Sequence, residues 1–128
     1  MTENFTPKAY LKSSCPFCFK LVMFLAEAKL MEKVEIIRIE SSDEAALSHY
    51  RDQLQKATGK AASFPTVELS PGKFSSDSDG LINYFGEKYE VVPSSLPGLA
   101  YYKDNLFPAY LANFRELKAL RAEATSAK

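Results

Sequence analysis

The sequence predicts an α/β fold of order β-α-β-α-β-β-α, a four-stranded mixed sheet with helices, followed by a C-terminal helical extension. Three observations carry this. Two short apolar alternations, "KAYLK" (8–12) and "VEIIRIE" (34–40), flank a stretch of helical periodicity, which makes a β-α-β unit with a parallel strand pair. Two further strand-like runs meet at a Pro-Gly turn inside "FPTVELSPGKFSS" (64–76), too close together to form anything except a hairpin. A Pro/Ser/Gly stretch, "PSSLPG" (93–98), then separates this arrangement from a last run with helical spacing.

Taken in order, "KAYLK" is a strand that runs into the cysteines of "SSCPFCFK". The helix behind them, "PFCFKLVMFLAEAKLME", places Leu21, Phe24, Leu25, Ala28 and Met31 at helical spacing. "VEIIRIE" is a β-branched strand, and "SSDE" (41–44) has the Ser-x-x-Glu form of a capping box. It opens a helix running to about Thr58, where Gly59 supplies the stop. After the hairpin, "SDGLINYFGEKY" (78–89) is a helix started by Ser78 and Asp79, with Ser78 as its cap. This order is that of a thioredoxin-like domain, spanning residues 1–92, with 93–128 forming a linker and a C-terminal helix. In that helix Leu99, Leu106, Tyr110, Phe114, Leu117 and Leu120 fall on roughly one side, and Pro108 kinks it or marks its first turn. So much apolar surface does not stay solvated, so the helix is expected to pack on the domain or to pair two chains as a homodimer.

With 128 residues the chain is long enough for one domain with a real core. Its 16 basic and 16 acidic residues cancel, which excludes whole-chain steering towards nucleic acid or an anionic membrane. Partner choice must come from a local site. "MTENFTPKAY" carries no apolar segment, and no stretch approaches the roughly 18 apolar residues of a spanning helix, so the expected location is cytoplasmic. Thiols are kept reduced there, and a close cysteine pair is then catalytic or metal-binding rather than a permanent staple.

Zinc needs about four ligands. The chain offers Cys15, Cys18 and one distant histidine, His49, so no metal is expected. A permanent Cys15–Cys18 bridge would close too short a loop to stabilise much. Redox chemistry explains more of the local sequence. Proline is favoured at the first helical position, which puts Cys15 at the N-cap and Pro16 at N1. The N–H groups of Phe17 and Cys18 then point towards the Cys15 sulfur and, with the positive end of the helix dipole, favour its thiolate. Cys15 is the nucleophile candidate, and Cys18, one turn inside, is the resolving thiol.

"YLKSSCPFC" resembles the active-site segment of glutaredoxins, in which a lysine stands three residues before the first cysteine of a C-P-[YF]-C motif. The resemblance implies that Lys12 meets the glycyl carboxylate of glutathione. "LQKATGKAASFPTVEL" is similar to the glutaredoxin segment that enters the third strand through a cis-proline, here Pro65, with the backbone of Phe64 pairing with the cysteinyl part of glutathione. "GKFSSDSDGLINYF" follows the family's acidic helix start, which implies that Ser78 and Asp79 hold the γ-glutamyl end: helix-start N–H groups take the carboxylate and Asp79 the ammonium. The resemblance also implies that Pro16 and Phe17, inside the motif, belong to the glutathione-binding set. The resemblance covers residues 8 to about 90, with its three motifs in the family's order and spacing.

Two departures, Ser76-Asp77 for the usual Gly-Gly and Ser63-Phe64 for Thr-Val, resemble the N-terminal domain of glutathione transferases instead, as do Tyr84-Phe85 and the linker leading to a helix. Three readings follow. The first is a glutathione-dependent thiol–disulfide oxidoreductase, with glutathione as co-substrate, acting on protein or small-molecule disulfides through the C-P-F-C dithiol. The second is a glutathione transferase-like enzyme for small electrophiles, although about 30 residues make one long helix where the transferase electrophile site needs a bundle. The third is a non-catalytic thioredoxin-fold binding module, against which both cysteines speak. An iron–sulfur cluster bridged between two chains is a minor option that Pro16 disfavours by family resemblance. His49, on "ALSHYRDQL", lies mid-helix and is read as a surface or half-buried residue. Phe17, Phe19 and the tyrosines line the core or a groove rather than a nucleic-acid platform, since no basic stripe accompanies them.

Overall fold

The structure, a computed structural model, describes residues 5–126. Its first strand, β1 (Lys8–Lys12), alternates Ala9 and Leu11 to one face and Tyr10 to the other, and all three are buried because helices cover both faces. β2 (Glu35–Ile39) pairs with β1 in parallel, β3 (Thr66–Ser70) pairs with it antiparallel, and β4 (Lys73–Ser75) closes the hairpin, so the sheet order is β2-β1-β3-β4. The Pro71-Gly72 turn places Gly72 at φ 79°, where only glycine is unstrained.

One face of the sheet carries the larger core. There α1 (Pro16–Glu27) and α3 (Ser78–Tyr89) bury Leu21, Phe24, Leu25, Leu81 and Phe85 against Ala9, Leu11 and Val67. The opposite face is covered by α2 (Glu44–Thr58), whose Leu54 packs on Tyr10 and Ile39. The fold is thioredoxin-like, with the four-stranded mixed sheet and the element order that the sequence implies.

Several boundaries differ from expectation, each for a local reason. α1 ends at Glu27, and Met31 is not on its stripe. Lys29 reverses the chain at φ 61°, Leu30 drops into the core, and Met31 begins a separate 3₁₀ turn, Met31–Lys33. The cap of α2 is Asp43, whose carboxylate accepts the Ala46 N–H at 3.1 Å. Ser41 is no cap; its N–H donates instead to the Ser13 hydroxyl at 2.8 Å, tying the end of β2 to the turn before α1. Asp77, not Ser78, is the N-cap of α3, and Ser78 is its first helical residue, buried.

The C-terminal segment starts earlier than the linker composition suggests. α4 (Pro97–Tyr101) has Pro97 in its first turn, followed by a π-helical turn, Tyr102–Leu106, and α5 (Phe107–Ser126). Pro108 has no N–H and its ring crowds the carbonyl one turn back, and the wider turn just before it is a common way to accommodate that. α4 lies on α1: the Glu27 carboxylate accepts the N–H groups of Gly98 and Leu99, both at 2.7 Å. A Cβ on residue 98 would sit 2.9 Å from that carboxylate, so any larger residue there would make the Glu27 side chain shift from this position. Leu99 and Tyr102 are buried, whereas residues 112–125 are all exposed.

Candidate active site at the start of the first helix

Ser14, at φ 64°, turns the chain sharply from β1 into α1. Cys15 then takes an extended conformation as N-cap, with Pro16 in the first turn, and its sulfur accepts the Cys18 N–H at 3.3 Å. Cys15 is half-buried and Cys18 buried; both are free thiols. The Cys18 sulfur accepts the Lys12 N–H at 3.4 Å, and the Cys15 thiol lies 3.7 Å from the Phe64 carbonyl. The Phe64–Pro65 peptide is cis, an isomer that the sequence leaves open.

These contacts separate the two thiols. Cys15 is lowered from 9.0 to about 6: the Cys18 thiol hydrogen bond acts most strongly, burial opposes it, and the N–H groups of Cys18 and Phe17 and the Lys12 charge add to it. Cys18 is pushed well above the usual thiol range, first by its hydrogen bond to Cys15 and then by burial. The helix start is therefore only part of the cause. The partner thiol contributes more than the helix-end N–H groups on which the sequence argument rests.

The other expected residues fall into two groups. Lys12 stands beside both cysteines and lines a cavity of about 440 Å³ with Cys15, Cys18, Phe19, Val22 and Arg38. Pro16 and Phe64 also lie against the cysteines, the Pro16 carbonyl accepting the Tyr102 hydroxyl at 2.8 Å. Farther along, Phe17 and Asp79 are joined by a residue that the motifs did not single out. Lys20, only 3% exposed, places its ammonium 2.8 Å from Asp79 Oδ1 and 5.7 Å from the centre of the Phe17 ring. The signal was present: a lysine on the apolar stripe of α1, beside Leu21 and between Phe17 and Phe24, is out of place unless it is paired.

Tyr102 and Phe107 are the other residues missed. Tyr102 stacks edge-on against Phe19 at 4.9 Å, and burial first and the nearby Cys15 second raise its own phenol. With Cys15, Pro16, Phe19, Leu106 and Tyr110 it lines an almost wholly apolar cavity of about 320 Å³ opening on Cys15. His49 is exposed on α2, across the sheet from the cysteines, against the Tyr50 ring. Among the described residues no group of three or more His, Cys, Asp or Glu side chains is gathered as a metal site would need. No helix among them is long and apolar enough to cross a membrane.

No protein-family model matches the chain, and no curated protein matches it. Among solved structures, a glutathione S-transferase from the Antarctic clam Laternula elliptica superposes on 93% of this chain with a TM-score of 0.59 at 19% identity. The likeness is one of fold. The chain spans about half of that structure, 52% of its length.

Proposed function

We propose that the protein is a glutathione-dependent thiol–disulfide oxidoreductase of glutaredoxin type. The observation that carries this is the pairing of a Cys15 thiol lowered to about 6 with a Cys18 thiol raised above its usual range, one turn apart at a helix start. A purely structural pair has no use for that division, and it is what nucleophile and resolving thiol require.

The Cys15 thiolate attacks the glutathionyl sulfur of a mixed disulfide R–S–S–G. The S–S bond breaks, RS⁻ leaves and takes a proton from water, and Cys15–S–S–G forms. A second glutathione thiolate attacks the glutathionyl sulfur, releasing glutathione disulfide and restoring the Cys15 thiolate. With a protein disulfide, Cys18 attacks the Cys15 mixed disulfide instead, frees the reduced substrate and leaves a Cys15–Cys18 disulfide for two glutathiones to reduce. Formation of the mixed disulfide removes the Cys15 negative charge and the hydrogen bond that hold Cys18 protonated, so Cys18 becomes more acidic at the step that needs its thiolate.

Lys12 supplies the cation for the glycyl carboxylate, the Phe64 backbone pairs with the cysteinyl part, Pro16, Phe17 and Pro65 border the groove, and Ser78 with Asp79 takes the γ-glutamyl end. Residues 1–92 are read as the catalytic domain and 93–128 as its C-terminal extension. The test is titration of the reduced protein with glutathione disulfide, followed by intact mass. A glutathione adduct or an internal disulfide is expected; an unchanged mass at every ratio overturns the reading.

A second reading, a transferase acting on small electrophiles, is favoured by one observation, the apolar cavity at Cys15 walled by Tyr102, Leu106 and Tyr110. Glutathione conjugation of an aromatic halide faster than reduction of mixed disulfides would select it.

A further inference from the structure

Among the described residues Lys20 is the one charged side chain in the buried set, and the fold itself does not call for it. Its position on α1 faces the interior, where an apolar side chain would pack without the cost of desolvating an ammonium. Three elements converge on that ammonium. Asp79 of α3 binds it at 2.8 Å, the Phe107 ring of α5 lies with its centre 4.5 Å away, and Phe17 of α1 stands edge-on to Phe107 at 5.2 Å. Asp79 itself is 58% exposed and lies in the first turn of α3, directly after the buried Ser78.

We propose that Lys20 is a positioning residue for glutathione, holding Asp79 in the orientation that receives the γ-glutamyl ammonium, and that α5 holds Lys20 through Phe107. This rests on the glutathione reading above. Lys20 is too buried to touch the ligand and acts through Asp79. It engages Oδ1 at 2.8 Å and leaves the second carboxylate oxygen to the ligand. The C-terminal extension thereby becomes part of glutathione recognition although it carries none of the motif residues.

The test uses the full chain, turning over the mixed disulfide of cysteine and glutathione with excess glutathione as reductant. A second substrate is the same disulfide acetylated on the γ-glutamyl nitrogen, which lacks the ammonium. Lys20→Met keeps the side-chain length and removes a buried charge, so folding is retained and checked by the thermal melt. The KM for the first substrate should rise about five-fold or more, with kcat and the alkylation rate of Cys15 unchanged, and the KM for the acetylated substrate should move far less. Lys20→Arg, which can still reach Asp79, should restore most of the loss. Phe107→Leu should shift KM in the same direction by less, and Lys20→Met should add nothing in an Asp79→Asn background. A KM in Lys20→Met equal to that of the unaltered protein, or an equal rise for both substrates, overturns the inference. If the unaltered protein does not turn over either mixed disulfide, the oxidoreductase reading itself has failed, which is a different outcome.

Discussion

At the scale of single residues, the chemistry rests on which sulfur is ionised. A lowered value means that the thiolate is favoured in the folded state, so Cys15 is mostly ionised above pH about 6, whereas an unstructured thiol needs pH 9.0. Alkylation by iodoacetamide should therefore rise between pH 5 and 7 as order-of-magnitude bounds and then level off, with Cys15 modified long before Cys18. Equal rates for the two would show the roles to be misassigned. Cys15→Ser should abolish all turnover. Cys18→Ser should retain the one-cysteine reaction on glutathione mixed disulfides and lose reduction of internal protein disulfides, since the intermediate can no longer be resolved from within. A serine hydroxyl still donates to the Cys15 sulfur, and Cys18→Ala does not. The alkylation midpoint should accordingly stay low in Cys18→Ser and move upward, towards 9.0, in Cys18→Ala, because the Cys18 thiol is the largest cause of the lowering. At the far ends of the groove, Lys12→Ala and Asp79→Ala should each raise the KM for a glutathione mixed disulfide about ten-fold or more, as expected for loss of a charge-assisted contact worth about 1.5–3 kcal/mol. No change in either variant would refute the clamp.

At the scale of elements, what could be read from the sequence was what local periodicity controls. β1 was legible to its ends because Ala9, Tyr10 and Leu11 alternate between two covered faces, and α2 because Gly59 takes a left-handed C-cap at φ 75°. Cys15 was legible as a cap because Pro16 admits few other places in a helix. Misreadings arose where two residues could play one part. Ser41 and Asp43 both suit an N-cap, and the choice fell to Asp43 because Ser41 is held by Ser13. Met31 keeps helical spacing with Ala28, but the turn at Lys29 breaks the helix between them. Contacts across long sequence separations do not name both partners locally: Lys20 stands out as a lysine on an apolar stripe, but nothing beside it points to Asp79. The Lys20–Asp79 pair and the Glu27 carboxylate capping α4 connect residues dozens of positions apart. Glu27→Ala removes an anionic acceptor for two helix-start N–H groups, and the loss should be about 0.5–2 kcal/mol, the range for losing an N-cap side chain. A lower melting temperature with an unchanged Cys15 alkylation rate would be the signature; an unchanged melt would mean that α4 is held without it.

At the scale of the whole molecule, the C-terminal segment has two parts with different duties. Its first part is built into the domain: Leu99 is 2% exposed in the same core as Phe24 and Phe85, Tyr102 hydrogen-bonds the Pro16 carbonyl, and Phe107 covers Lys20. Its second part leaves the domain, since residues 112–125 are all exposed and Phe114, Leu117 and Leu120 each show about half their surface, at 46%, 46% and 54%. The stripe was visible in the sequence, but it does not lie on one partner: the π turn before Pro108 divides the segment, and only the portion near the domain is buried. Two truncations separate the duties. Ending the chain after Leu111 should leave the melting temperature and the KM for a glutathione mixed disulfide nearly unchanged. Ending it after Val92 removes Leu99 and Tyr102, and burial of one large apolar side chain alone is worth about 2–5 kcal/mol, so the melting temperature should fall steeply. The thiol pair would persist in whatever remains folded, because the Cys15 sulfur draws its hydrogen bonds from Cys18 and the helix start. The shorter protein should then alkylate at Cys15 with the same pH midpoint while binding the glutathionyl group less well, having lost Phe107 over Lys20. If both truncations melt like the full chain, the first part of the segment does not stabilise the domain.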